Sequence, residues 1–207
     1  MSSFGSPVAL APPAPRPPAE ILWACENGGT PCFPRDIATI YARRQSPSPR
    51  HLDAFQVAVR KAQTRVWMLD GYLFLPDKGK GSPDDRILTI LDWLHVDIVA
   101  NDIKILTGVH QEVSEADLRL FKDRENDINK KLARRGTHCS ITVSTNLSRV
   151  FDIHDRFAVI DDELWHFGAT VGGFHASVNA ASRGWPAGPT GAIKFFELAW
   201  AMSEGKT

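Results

Sequence analysis

With 207 residues, 43% of them hydrophobic and 23% charged, the chain is long enough to bury a sizeable core and is expected to form one domain. Its 24 basic and 24 acidic residues cancel, so net charge neither predicts nor excludes a nucleic-acid partner. Three cysteines and the lack of any apolar run near the roughly 20 residues of a membrane span exclude a disulfide-stapled fold and a transmembrane helix. We therefore expect a cytoplasmic protein with reduced thiols and no stable membrane association.

The first 47 residues differ in composition from the rest of the chain. Residues 1–19 are dominated by Pro, Ala and Ser, which predicts a disordered tail; a proline-rich ligand for an aromatic groove is the alternative. Residues 20–47 mix aromatic and aliphatic side chains with turn formers such as Gly28 and Pro31. They predict an N-terminal extension of short helical pieces docked on a main domain at residues 48–207.

The main domain begins with an alternation of helices and strands. A proline after Ser48, followed by apolar residues at helical spacing, predicts an amphipathic helix. Residues 64–70 form a short apolar run with a β-branched start, which is typical of a buried strand. Ser82, Pro83 and Asp85 then provide the N-cap, first-turn proline and capping-box carboxylate of a second helix.

The same alternation continues through the middle of the chain. Residues 102–108 predict a strand, Ser114 with Asp117 caps a long helix, and residues 140–144 predict a third strand. This β-α-β-α order implies an α/β fold with a largely parallel sheet covered by helices. A hairpin is predicted around Asp161 and Asp162. Residues 182–185 are expected in a solvated loop, or alternatively in a phosphate-binding rim.

The segment with the clearest chemical signal surrounds His154 and Arg156. Residues two apart on a strand share a face, so these side chains would project together, about 7 Å apart along the chain. A guanidinium presents a planar fork of donors to phosphate oxygens, and a neutral imidazole nitrogen can attack phosphorus. The pair therefore suits a phosphodiester, whereas a structural ion-pair network is the alternative.

His154, Arg156, Asp161 and Gly168 together resemble the HxKxxxxDxxxxxxG motif of the phospholipase D superfamily. The resemblance extends to the helix and strand that lead into Tyr72, and it covers about three quarters of the chain. It implies a single phospholipase D-like α/β domain with a mostly parallel or mixed sheet flanked by helices.

The resemblance also implies a mechanism. His154 would form a transient phosphohistidine, Arg156 would clamp phosphate and Asp161 would orient the imidazole, with no cofactor and no metal required. One imidazole cannot attack and donate a proton at once, and the chain has a single motif. Relatives with one motif pair two chains, so the resemblance implies a homodimer in which His154 of the partner subunit is the general acid.

The chain departs from the family pattern at several positions. Arg156 replaces the usual lysine, Val171 stands where an asparagine is common, and Thr170 would substitute for a small hydroxyl residue that binds substrate. Glu197 resembles an acidic residue that some members place near the histidine, although a surface carboxylate fits equally well. These departures leave open a catalytically degenerate module that binds phosphate or nucleic acid, or mediates dimerisation.

The substrate expected from the sequence is a phosphodiester. Nucleic acid is favoured over phospholipid because the chain is small and has no evident membrane-facing helix. The sequence therefore predicts a metal-independent phosphodiesterase, with a phosphate-binding module as the alternative function and phospholipid as the alternative substrate.

Overall fold

The computed structural model describes residues 18–23, 29–31, 33–45, 50–77, 80–133, 136–150 and 153–206. Within these ranges the chain forms an α/β fold with seven strands and five helices. The strands are β1 (Glu20–Trp23), β2 (Arg65–Leu69), β3 (Asp102–Leu106), β4 (Ser140–Ser144), β5 (Phe157–Ile160), β6 (Glu163–Phe167) and β7 (Ala180–Pro186). The helices are α1 (Ile37–Gln45), α2 (Asp53–Lys61), α3 (Pro83–Trp93), α4 (Glu115–Leu132) and α5 (Ala192–Ser203).

All seven strands belong to one mixed sheet in the order β1-β7-β6-β5-β2-β3-β4. β2, β3 and β4 are parallel, while β5 lies antiparallel beside β2, and β5, β6, β7 and β1 continue as antiparallel neighbours. Of the two expectations, a mostly parallel or a mixed sheet flanked by helices, the mixed sheet is confirmed. The sheet is not largely parallel, because the second half of the chain returns in antiparallel strands rather than through helical crossovers. As a result, β5 begins at the end of the sheet at which β2 ends.

The two helices that cross between parallel strands start where the sequence predicts. The side chains of Ser82 and Ser114 each accept a hydrogen bond from the backbone N–H three residues later. In return, the carboxylates of Asp85 and Asp117 accept a hydrogen bond from the backbone N–H of the serine. These reciprocal capping boxes satisfy N–H groups that a helix start leaves unpaired, and each is worth about 1 kcal/mol.

Apolar side chains fill both faces of the sheet. The larger cluster lies under α2, α3 and α4, where Phe55 packs edge-on against Trp93 and Trp165 with ring centroids 5.3 and 5.2 Å apart. On the opposite face α5 covers β2, and Phe196 stacks on Trp67 at 5.0 Å. A sheet with both faces covered has only its edges and strand ends left for function.

Two strands fall where the sequence suggested other structure. Glu20–Trp23 is a strand rather than a helical piece, and it pairs antiparallel with β7, which occupies residues expected in a loop. Gly184 explains part of the tight fit, since its φ is +91° and a Cβ there would lie 2.6 Å from the Cα of Ala19. The proposed disordered tail lies outside the described residues, apart from Pro18 and Ala19.

One of the three cysteines and the five α-helices named above lie within the described residues. Cys139 is free and fully buried, whereas Cys25 and Cys32 lie outside the described residues. Among the helices that the structure describes, none has the length and apolarity needed to cross a bilayer.

Candidate functional site

The candidate site lies at the edge of the sheet where β2, β3 and β4 end and β5 begins. In open α/β sheets this carboxyl edge is the usual place for ligands, above all where the chain changes direction across the sheet. That change occurs here, because β4 is the outermost strand on one side of the sheet and the chain then crosses to β5, on the other side of β2. Asp70, Gly108 and Arg156 each lie within two residues of such a strand end.

Asp70 directly follows β2 and is completely buried. Its carboxylate accepts hydrogen bonds from the backbone N–H groups of Tyr72, at 2.9 Å, and Val171, at 2.8 Å. Burial raises the pKa of Asp70, while these two N–H donors and the positive charges of Arg156 and Arg86 act in the opposite direction. A cation beside a buried carboxylate stabilises its charged form.

Arg156 is the cation that forms an ion pair with Asp70. Its Nε lies 3.5 Å from Asp70 Oδ1, and its guanidinium lies 5.5 Å from the centre of the Tyr72 ring. The side chain remains 27% exposed, and within the described ranges no protein acceptor takes a hydrogen bond from its terminal nitrogens. Asp70 and Tyr72 therefore hold the guanidinium in position, and its terminal N–H groups remain available to bind a phosphate.

His154 lies at the rim of the same cleft. It is exposed, in the segment leading into β5, and no residue of the described chain hydrogen-bonds its ring. The cleft is open, with a volume of about 270 Å³. Its lining includes residues that follow β2 and β3, namely Gly71, Tyr72, Gly108 and His110, together with Ile153 and His154.

His110 is a site residue that sequence reasoning missed. Its Nε2 lies 2.7 Å from the carbonyl oxygen of Gly71, and its ring stacks on Tyr72 with centroids 5.7 Å apart. Gly108 permits this arrangement, because a Cβ there would lie 2.6 Å from the same carbonyl oxygen and 3.2 Å from His110 Nε2. The signal was present in the sequence, since Gly108 and His110 follow β3 as Gly71 and Tyr72 follow β2.

Asp161 does not fit the role of orienter. It lies in the turn after β5, whereas His154 precedes that strand, and the four residues of β5 alone span about 13 Å. Its carboxylate accepts hydrogen bonds from the backbone N–H groups of Gln63, Thr64 and Arg65 and from the Thr64 hydroxyl. Asp161 therefore fastens the start of β2 to the hairpin of β5 and β6.

Thr170 and Glu197 are placed differently from each other. Thr170 is buried, and its carbonyl accepts the N–H of Gly173 in the loop whose Val171 N–H binds Asp70. Thr170 thus stabilises the loop that binds Asp70, the ion-pair partner of Arg156. It is too buried to contact a large substrate directly. Glu197 is exposed on α5 and, within the part of the chain described, makes no hydrogen bond or ion pair with the cleft residues.

Two histidines near the motif have carboxylate partners of their own. His166 lies 3.3 Å from Asp155, and His175 lies 3.3 Å from Asp77. Across the described ranges, no three His, Cys, Asp or Glu side chains come together in a group suited to a metal ion.

No protein-family model matches the chain, and no curated protein matches it. Several solved structures are similar, and two of them illustrate the range. One is TrmBL2, an archaeal chromatin protein that binds DNA, with 12% identity over 93% of this chain and 55% of that chain, and a TM-score of 0.39. The other is the phosphatidylserine synthase of Haemophilus influenzae, with 15% identity over 70% of this chain and 33% of that chain, and a TM-score of 0.42.

The chain therefore spans about half the length of the first of these proteins and a third of the second. Both are weak similarities. The residues that line the cleft include two imidazoles and a phenol ring, and that ring lies against a guanidinium paired with a buried carboxylate.

Proposed function

We propose that this protein is a phosphodiesterase of the phospholipase D type that cleaves nucleic acid through a covalent intermediate on His154. The observation that carries the proposal is the position of Arg156. Its guanidinium lies beside the buried Asp70 and against the Tyr72 ring, and Tyr72 lines the cleft together with His154, two residues before Arg156. A fixed cation beside an accessible nucleophile is the minimum that transfer of a phosphoryl group requires.

In this reaction Arg156 binds the non-bridging oxygens of a phosphodiester and offsets the charge that develops on them. A neutral ring nitrogen of His154 attacks phosphorus, forming a nitrogen–phosphorus bond while the bond to the leaving oxygen breaks. Water then attacks the phosphohistidine, releasing the second product and restoring His154. Because Arg156 supplies the positive charge, we expect no requirement for a divalent cation.

Tyr72 favours nucleic acid over phospholipid as the substrate. Its ring is 54% exposed, stacks on His110, and lies against the Arg156 guanidinium. An exposed aromatic ring next to a phosphate-binding cation is the arrangement with which proteins bind single strands, because a base stacks on the ring while its phosphate is held. A phospholipid headgroup has no planar group to use this surface.

A phosphate-binding module without catalysis is the second candidate. The observation that favours it concerns His154, whose exposed ring has no hydrogen-bonding partner among the described residues to fix its orientation. An imidazole that is not oriented reacts poorly, since attack requires a defined approach to phosphorus. In this alternative, Arg156 and Tyr72 still bind a nucleic-acid strand, but the strand is released without being cleaved.

One experiment separates the two candidates. Fluorescent single-stranded oligonucleotides and bis(p-nitrophenyl) phosphate are incubated in EDTA with wild type, His154→Ala, Arg156→Ala and the control His138→Ala, an exposed histidine just before β4. The phosphodiesterase predicts cleavage by wild type and the control, and a loss of at least about 100-fold in the other two.

Binding measured by anisotropy completes the comparison. Strand binding that weakens in Arg156→Ala, with no product from wild type, would establish the binding module instead. Wild-type activity that disappears with EDTA and returns with a divalent cation would contradict the phosphohistidine chemistry, and full activity of His154→Ala would remove its nucleophile.

A further inference from the structure

The cleft contains a second imidazole for which the proposed function as stated has no use. His110 and His154 line the same cleft, but they reach it from different elements, His110 after β3 and His154 before β5. Phosphoryl transfer through a histidine needs a second group that gives a proton to the leaving oxygen. The resemblance to single-motif enzymes would place that group in another subunit, whereas here an imidazole lies in the same chain.

We propose that His110 is the general acid of this site, so that one chain carries both imidazoles. The inference rests on the proposed function and extends it, because it identifies the proton donor and makes a second subunit unnecessary for chemistry. It also predicts which substrates depend on the donor most: diesters whose leaving group is an alkoxide, such as the sugar oxygen of a nucleic acid strand.

The hydrogen bond to Gly71 determines which nitrogen of His110 carries the transferred proton. A carbonyl oxygen can only accept, so Nε2, 2.7 Å away, bears a hydrogen in both the neutral and the charged ring. The proton that comes and goes is therefore the one on Nδ1. Stacking on Tyr72 fixes the plane of the ring, as a proton donor requires.

His154 attacks phosphorus, the bond from phosphorus to the leaving oxygen breaks, and that oxygen takes the Nδ1 proton of the His110 imidazolium. His110, now neutral, accepts a proton from the water that attacks the phosphohistidine. The nitrogen–phosphorus bond breaks, a phosphate monoester leaves, and both imidazoles return to their starting charge.

The charged and titratable groups beside His110 are few. Tyr72 stacks on it, Arg156 lies against the same tyrosine ring, and His154 shares the cleft. No carboxylate within the described ranges forms an ion pair with His110.

The leaving group distinguishes a general acid from a structural residue. His110→Gln keeps a side-chain N–H that can reach the Gly71 carbonyl but cannot transfer a proton. The cleavage rate of this variant is measured on a dinucleotide, whose leaving group is an alkoxide, and on bis(p-nitrophenyl) phosphate. The p-nitrophenolate leaving group of the second substrate is stable without protonation. We expect a loss of about 100-fold or more on the dinucleotide and less than about 5-fold on the aryl ester. His138→Gln is the matched control.

Equal losses on both substrates, or none on either, would overturn the assignment of His110. Mixing His154→Ala with His110→Gln provides a second test. If both imidazoles act within one chain, the mixture regains no activity; recovery would show that His154 of one subunit acts with His110 of another, which would contradict a site built within one chain. Full activity of His154→Ala alone would instead refute the proposed function, so the two failures are distinguishable.

Discussion

Replacing Asp161 tests the role that the structure gives to the motif aspartate. Its carboxylate accepts three backbone N–H groups, at 2.7 to 3.2 Å, and one hydroxyl at 2.8 Å, and the residue itself has a φ of 53°. A hydrogen bond to a charged group contributes about 1.5 to 3 kcal/mol, but bonds to one partly exposed carboxylate do not add fully. Alanine in the left-handed region costs about 1 kcal/mol more.

We therefore expect a graded loss of stability among Asp161 variants. Asp161→Ala should lower the free energy of unfolding by about 3 kcal/mol, and Asp161→Gly, which tolerates the positive φ, by about 2 kcal/mol. Asp161→Asn tolerates the conformation and keeps one acceptor oxygen, so it should lose about 1 to 2 kcal/mol. Urea unfolding followed by tryptophan fluorescence measures these differences, with the exposed neighbour Asp162→Asn as the control.

The same variants separate structure from catalysis. If Asp161 only fastens β2 to the β5–β6 turn, Asp161→Asn should cleave its substrate at close to the wild-type rate under conditions where it is folded. A variant that keeps wild-type stability yet loses activity about 100-fold would refute this reasoning and restore Asp161 as a partner of the histidine.

Three further predictions follow from other positions. The buried thiol of Cys139, whose pKa burial raises to about 12, should resist a thiol reagent in the native protein and react only in denaturant, as measured in a Cys25→Ser, Cys32→Ser background. Burial lowers the pKa of His51 below 6.5, so its contribution to stability should be complete above pH 6.5 and decline as pH falls through the folded pKa. That decline, measured by urea unfolding between pH 7.5 and 4.5, should be smaller in His51→Gln. Arg156→Lys should raise KM about tenfold, because an ammonium lacks the planar fork that the buried aspartate and the aromatic ring hold in place; a rise in kcat/KM would contradict this.

Local patterns predicted much of the first half of the fold. The capping boxes at Ser82 and Ser114 mark helix starts by their own chemistry, and the strands β2, β3 and β4 are short, rich in apolar residues and separated by helices. These signals depend on residues close together in sequence. The structure therefore confirms them with little change.

The second half depended on contacts between distant residues. β7 contains a glycine and a proline and resembles a loop, but it pairs with β6 on one side and with β1, about 160 residues earlier, on the other. Nothing in its own sequence identifies those partners. The same limitation explains why the sheet is mixed rather than largely parallel.

The candidate site was predicted in part, for the same reason. The sequence suggested that His154 and Arg156 share one face of a strand, but both residues precede β5, so strand alternation does not set their directions. The two groups that complete the surroundings, Asp70 and His110, come from the ends of β2 and β3, and only the order of strands brings them together. Asp161 was misassigned because a motif gives spacing along the chain, while the turn after β5 carries it to the far end of the strand.

The central claim is that His154 bonds covalently to phosphorus while Arg156 holds the phosphate. The most direct measurement mixes wild-type protein with excess phosphodiester and stops the reaction within milliseconds in alkaline denaturant, in which a phosphohistidine survives. Intact mass and peptide mapping should then reveal one phosphoryl ester on the peptide that contains His154, and none in His154→Ala. Product formation by wild type without any such adduct, or an adduct on another residue, would contradict the account.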